Sequence, residues 1–469
     1  MMGVHALKEP GAILLVACYE LGHQPLAVAW PAAFLERRGY APAVMDVSVE
    51  PFDAEKAARA RLAMISVPMH TALRIGVGVA ERVRAVNPSA HICFTGLYAS
   101  LNADSLLARG GDSVIGGEGE APLLELVRAL EEQRETPIPG VSRGDVRGRP
   151  HLRRLDFPVP SRARLPGLKQ YVRLARAGAR ELTAYAEASR GCLHHCRHCP
   201  IPPVYGGRFF AVPRDVVLAD IRQQVEAGAT HLTFGDPDFL NGPAHALAIA
   251  RALHREFPSL TFDFTAKIEH LLRRQAHLPE LARLGCLFIV SAAESRSDTV
   301  LAHLDKGHTR VDIVEALQAV RAAGIALRPT WVAFTPWTTL DDYRDMLDFI
   351  EAEALIDHVD PVQYSLRLLV PPGSLLLESP AMRPHLGALD REAFSYRWTH
   401  PDPRMDELQA AAAAAVAEAA EREEDPPVTF DRVRSLADAA AGAPAAPAVA
   451  GRLPADRPRP PHLTEPWFC

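Results

Sequence analysis

Short apolar runs alternate with amphipathic stretches over most of the first 370 residues, and this alternation constrains the fold more than any other feature of the chain. A strand followed by a helix, repeated, builds a parallel sheet whose faces the helices cover. The repetition falls into two series. In the first, apolar runs at 13–17, 43–47, 62–67, 92–95 and 113–115 predict strands, with helices near 26–38, 71–86, 101–109 and 121–133. That is a doubly wound, Rossmann-type α/β domain over 1–134. In the second, runs at 183–188, 231–234, 261–265, 287–291, 326–334 and 358–366 predict six strands, with helices near 214–228, 243–256, 268–284, 309–323 and 340–353. Six strands are too few for a closed barrel of eight, so 181–370 reads as an open six-stranded (β/α)6 partial TIM barrel. Residues 135–180, rich in Pro, Arg and Gly, read as a connector. Residues 371–438 read as a helical C-terminal extension, with Ala and Glu favouring a helix over 406–424. Residues 439–469, mostly Ala, Pro, Gly and Arg, read as a flexible tail ending in Cys469.

The net charge of -6 gives the chain no general attraction for nucleic acid or an anionic membrane, and neither partner is expected. The longest apolar runs, at 12–17 and 286–290, are far short of the roughly 20 residues that span a bilayer. With no secretion-signal pattern at the N-terminus, a cytoplasmic location is expected. The chain has seven cysteines, an odd number, and three fall between positions 192 and 199. That usage suits a metal site in a reducing compartment better than a disulfide framework.

Those three stand in Arg190-Gly-Cys192-Leu-His-His-Cys196-Arg-His-Cys199-Pro200, directly after the first strand of the second series. Thiolate sulfur is the natural ligand of a cluster iron, and three thiolates on a four-iron cluster leave one iron open to a substrate or cofactor. A closed zinc shell completed by His194, His195 or His198 is the alternative that spacing leaves open. Placement favours the cluster, because barrels build active sites on loops at the carboxyl ends of their strands. Cys18, Cys93 and Cys286 lie in or beside predicted strands and read as small buried hydrophobes. Arg328 interrupts an apolar strand, where an unpaired charge is costly, so it is expected to face the barrel mouth and pair with a carboxylate.

Residues 185–370 resemble the radical S-adenosylmethionine (radical SAM) superfamily. The resemblance implies a catalytic 4Fe-4S cluster on Cys192, Cys196 and Cys199, reductive cleavage of S-adenosylmethionine, and an electron donor such as flavodoxin or ferredoxin. Where that family carries a Gly-Gly-Glu-like turn for the cofactor's amino group, this chain has Gly235-Asp236-Pro237-Asp238, so Asp236 or Asp238 would be the acceptor. Glu294 is the corresponding candidate for the ribose or methionyl part, and Lys267 and Arg328 are further cofactor-binding candidates.

Residues 11–134 resemble the cobalamin-binding-type domain that precedes the barrel in one branch of this superfamily. The Asp-x-His-x-x-Gly pattern of the histidine that ligates cobalt is missing; Glu20-Leu-Gly22-His23-Gln24 stands in its place. His23 therefore reads as a loop residue, and cobalamin is not favoured as a cofactor. The ending Leu463-Thr-Glu-Pro-Trp467-Phe468-Cys469 resembles a subgroup named for a Cys-Cys-Ala-Glu-Pro or Cys-selenocysteine-Ala-Glu-Pro tail, which implies that the product continues through selenocysteine. The resemblance extends to radical enzymes that move a 3-amino-3-carboxypropyl group onto arsenic(III), and group transfer to such a thiophilic acceptor is the expected activity. Cobalamin-dependent methyl or group transfer to a natural product or peptide is the rival, and a non-catalytic cobalamin or metal sensor is a reading of another class.

Overall fold

The structure, a computed structural model, describes residues 6–454 and 456–465. Pro466 to Cys469, including the cysteine singled out above, lie outside the described residues. The N-terminal strands β1 (Ile13–Ala17), β2 (Ala43–Asp46), β3 (Leu62–Ser66), β4 (His91–Thr95), β5 (Ser113–Ile115) and β6 (Val141–Ser142) form one sheet in the order β2-β1-β3-β4-β5-β6. All pairs are parallel except β5 with β6. The pleat sends alternate residues to opposite faces. Leu14 and Val16 accordingly pack with Leu73, Val77 and Val83 of helix 70–86, whereas Ile13, Leu15 and Ala17 pack with Val28, Leu35, Leu126 and Val127 of helices 26–36 and 120–131. A sheet covered on both faces is the doubly wound α/β architecture that the alternation implied.

The second sheet runs through β7 (Arg173–Arg176), β8 (Ala179–Ala186), β11 (His231–Phe234), β12 (Thr261–Thr265), β13 (Cys286–Glu294) and β14 (Ala326–Trp331), with β9 (Ser189–Gly191) and β10 (Phe209–Ala211) forming a separate ribbon. Beyond β14 come a hairpin of β15 (Leu386–Asp390) and β16 (Ser395–Trp398), two long helices at 403–421 and 426–441, and β17 (His462–Leu463). The order β14-β13-β12-β11-β8-β7-β17 makes a curled, seven-stranded half-barrel.

Two expectations change here. The run 358–366 forms short 3-10 turns at Ile356–His358 and Pro361–Tyr364, not a sixth parallel strand; Pro361 has no N–H to give a ladder, and only an isolated Phe334–Arg367 bridge continues past β14. The half-barrel is widened at its other edge, where β7 pairs antiparallel with β8 and β17 pairs antiparallel with β7. The tail also differs from a flexible arm. Asp431 accepts from the N–H groups of Val449 and Ala450 at 2.8 Å, Asp438 accepts from Ala446 at 3.0 Å, and Arg457 bridges Asp357 and Asp425 at 2.6 and 2.8 Å. Composition counts the segment's own apolar content, whereas these carboxylates come from elements already folded.

Contacts between the two units are intimate. Tyr171 donates to Asp46 at 2.8 Å, and Arg162, buried, forks onto Asp220 at 2.6 and 2.8 Å while also donating to the Gln24 side chain. The consequence is that the carboxyl ends of β1, β3 and β4 face those of β8 and β11 across a single cavity of about 390 Å³.

Candidate active site

Ribbon β9–β10 holds the start of the cysteine loop. Gly191 has φ +76, and a Cβ there would stand 2.4 Å from the Arg208 carbonyl oxygen, so only glycine fits. Arg197 N–H donates to Leu304 O at 2.9 Å, and Leu193 N–H donates to Asn241 Oδ1 at 3.3 Å. The loop is thus fixed to two neighbouring elements. Cys192 and Cys196 are buried and Cys199 is half-buried. Burial pushes the Cys199 thiol up to about 12 and Cys192 upward as well, so bound metal, not solvent, is what would make them thiolates.

The loop histidines are engaged elsewhere. His195 is exposed. His198 Nε2 lies 3.1 Å from Glu294 Oε1, which also accepts from Lys306 Nζ at 3.1 Å. Burial alone would raise Glu294, but the Lys306 ammonium and His198 hold its carboxyl well below the usual range. Glu294 itself has φ +63 at a bulge between β13 and β14, a strained conformation for a non-glycine residue and one that accumulates at functional sites. On the other flank a chain of contacts runs from Asp238 Oδ2 to His270 Nδ1 at 2.9 Å, from His270 Nε2 to His194 Nε2 at 3.2 Å, and from His194 Nδ1 to Lys267 Nζ at 3.1 Å. Glu269 closes it at 3.3 Å from Lys267.

The turn after β11 carries the two expected acceptors, each with donors from the protein itself. Asp236 accepts from Ser189 Oγ at 2.5 Å and Ala188 N–H at 2.9 Å, and burial raises it to about 7. Asp238 accepts from the N–H groups of Leu240 and Lys267 and from His270. Both carboxylates therefore position the loops around the cysteines. Gly235 and Pro237 line the cavity between the units, and a Cβ on Gly235 would meet the Tyr185 hydroxyl at 2.2 Å. Arg328 stands apart, 3.5 Å from Asp360 in a small separate pocket with His358, Leu463 and Glu465. Lys306, His270 and Asn241 were not legible as site residues; Lys306 follows Glu294 by twelve positions in a loop with no periodicity to mark it.

The N-terminal side of the cavity is mostly small and apolar, with Leu21, Ser66, Thr95, Gly96, Gly117 and Gly119, and it also presents the carboxyl groups of Glu20 and Glu120. At Gly96, φ +107, a Cβ would lie 2.9 Å from the Val67 carbonyl carbon. His23 is buried, not a solvated loop residue; it stacks on Tyr185 with ring centroids 4.4 Å apart, and burial lowers it to about 3. An open, glycine-edged cleft at the carboxyl ends of parallel strands is where doubly wound domains take flat cofactors.

Comparison with known proteins agrees with this geometry. Residues 187–350 match the radical SAM superfamily and residues 12–127 match the B12 binding domain. The chain thus carries a radical SAM domain preceded by a B12-binding domain. The doubt about cobalamin, drawn from the missing histidine pattern, is corrected by that second match and by the cleft it delimits. Among solved structures, the cobalamin-dependent S-adenosylmethionine radical enzyme OxsB, with aqua-cobalamin and S-adenosylmethionine bound, superposes with a TM-score of 0.70 at 15% identity, covering 92% of this chain and 73% of that one. The radical S-adenosylmethionine methyltransferase TsrM from Kitasatospora setae gives 0.65 at 16% identity, covering 86% and 89%. An uncharacterized methyltransferase of Pyrococcus horikoshii is 24% identical over 60% of this chain and 60% of its own length. A tRNA-2-methylthio-N(6)-dimethylallyladenosine synthase of Alkalilimnicola ehrlichii is 25% identical over 46% of this chain and 50% of its own. No described helix is long and apolar enough to cross a membrane.

Proposed function

We propose that the chain is a cobalamin-dependent radical SAM transferase that moves a methyl or other alkyl group from S-adenosylmethionine to a small-molecule or peptide acceptor. One observation carries this: Arg190, Gly191 and helix 201–205 of the cysteine loop line the same cavity as the strand ends of the B12-binding domain. Cys192, Cys196 and Cys199 would hold the cluster, leaving one iron open. Lys306 and Lys267, the cations beside the loop, are placed to receive the carboxylate of S-adenosylmethionine, with Glu294 and Glu269 keeping each ammonium oriented. Ser66, Thr95, Gly96 and Gly119 would form the floor under the corrin. When bound, the cluster supplies an electron for reductive cleavage and cobalamin supplies a carrier for the alkyl group. The residues' part is to hold both reactants against one another in that cleft.

The test is anaerobic reconstitution with iron, sulfide and hydroxocobalamin, desalting, and identification of the nucleosides formed from S-adenosylmethionine under reduction. Retained cobalamin with S-adenosylhomocysteine or 5'-deoxyadenosine is expected. Loss of cobalamin on desalting would sink the cobalamin part, methylthioadenosine rising with arsenite would move the reading to aminocarboxypropyl transfer, and cluster without any product would leave a sensor.

A further inference from the structure

The cavity between the two units is unevenly charged. Among the described residues three carboxyl groups line it, Glu20 after β1, Glu120 at the start of helix 120–131 and Glu187 after β8, while Arg190 is the one cation in its wall. Arg190 is already shared: Nη1 meets Glu120 at 2.8 Å and Glu118 at 3.2 Å, and Nε meets Glu187 at 3.3 Å. Carboxyl groups therefore outnumber cations among the described lining residues before any ligand enters. Glu120 is 4% exposed, and its Oε2 has no hydrogen-bond partner. A buried carboxylate oxygen without a donor is costly, and it marks a place where a donor is expected to arrive. The rest of the barrel-side wall is apolar or aromatic, with Tyr185, Ile201 and Val204.

We propose that this cavity recognises the acceptor where its two walls meet, and that the acceptor presents a cation on an apolar stem, an ammonium or amidinium, docked between Glu187 of the half-barrel and Glu120 of the N-terminal unit. This rests on the reading above, in which Ser66, Thr95, Gly96 and Gly119 lie under the corrin and the space between Glu187 and Glu120 is left for substrate. Glu187 follows the first long barrel strand, the position from which barrels present residues to substrate. Its neighbours from every side are Arg190 of its own loop, Glu20 and Glu118 of the N-terminal unit, Asp236 after β11, and the phenols of Tyr185 and Tyr205. Burial pushes Glu187 up to about 8, against the pull of Arg190 and reinforced by Glu20; burial likewise pushes Glu20 to about 7. A carboxyl held near neutrality in the empty cavity gives up its proton when a cation docks beside it.

The experiment uses cobalamin-loaded, cluster-reconstituted enzyme and two probes of similar size, 2-phenylethylammonium and 3-phenylpropionate, titrated calorimetrically in buffers of different ionisation enthalpy. The cation should bind at least about tenfold tighter than the anion. It should release up to about one proton per site at pH 7. Glu187→Gln should abolish both the preference and the proton release while bound cobalamin, read by its absorbance, is unchanged. Equal affinity for the two probes overturns the proposal, and so does a preference that survives in Glu187→Gln. If Glu187→Gln does not fold, cation binding by the wild type without proton release is by itself sufficient to reject it. A protein that retains no cobalamin fails the earlier reading before any amine is added. If Glu187→Gln weakens S-adenosylmethionine and leaves the amine untouched, the carboxylates serve the sulfonium and the proposal falls.

Discussion

The two walls of the central cavity come from sheets of the same parallel, strand-helix construction, yet their strand ends differ in chemistry. The N-terminal sheet presents Ser66, Thr95, Gly96 and Gly119, small groups with little to donate or accept beyond the backbone, and its ionisable lining among the described residues is Glu20 and Glu120. The half-barrel ends in Glu187, Asp236, Lys267 and Glu294, all ionisable, three of them nine-tenths buried. One sheet shapes a space and the other equips it, so the same architecture supports both roles and the difference lies in a handful of residues after the strands.

The sharpest way to separate the two walls is to damage each alone. Cys196→Ala should remove the cluster and with it all reductive cleavage, a loss of at least about a thousandfold, while cobalamin still binds the other wall; iron and sulfide analysis alongside cobalamin absorbance checks this. A second blow falls on the barrel side only. Lys306→Met leaves Glu294 buried with His198 as its remaining partner, and a destabilisation of about 3 kcal/mol is expected in denaturant unfolding. Adding Glu294→Gln should recover much of it, because the orphaned charge then disappears. On the N-terminal side, Ser66→Leu should fill part of the floor and weaken cobalamin binding about tenfold, with iron content unchanged; loss of iron as well would show that the walls are not independent.

The smallest effect is in the pH dependence of stability, where two sets of carboxyl groups have opposite signs. Glu294 is depressed in the folded protein, so its contribution is present above its ordinary value near 4.5 and is lost as pH falls. Glu187, Glu20 and Asp236 are raised, to about 8, 7 and 7, so the folded state binds more protons than the unfolded one and stability falls as pH rises from the ordinary carboxyl range toward 8. Each raised group contributes a slope of at most about 1.4 kcal/mol per pH unit. Glu187→Gln should flatten the unfolding free energy between about pH 5 and 8 by up to that amount, and an unchanged slope would show that Glu187 is ionised and solvated.

Much of the fold was legible because short apolar runs separated by amphipathic stretches need only local residues to be read. The runs at 13–17, 113–115, 231–234 and 261–265 coincide with β1, β5, β11 and β12. The run at 358–366 misled because its apolar residues pack without a ladder around Pro361. Helix 268–284 breaks into pieces around a 3-10 turn and Pro279. The absent histidine pattern pointed away from cobalamin, because one ligand motif was weighed more heavily than the shape of a whole domain.

What the sequence by itself determined was the order of strands and helices and the spacing of Cys192, Cys196 and Cys199, since both are local properties of a chain. What only the tertiary structure decided was which distant side chains meet. Lys306 reaches Glu294, His270 links Asp238 to His194, and Glu20, Glu120 and Glu187 line one cavity although the chain separates the first from the last by most of a domain and a connector. Ionisable groups take their chemistry from neighbours and burial, and a sequence carries no record of either until the sheets have packed.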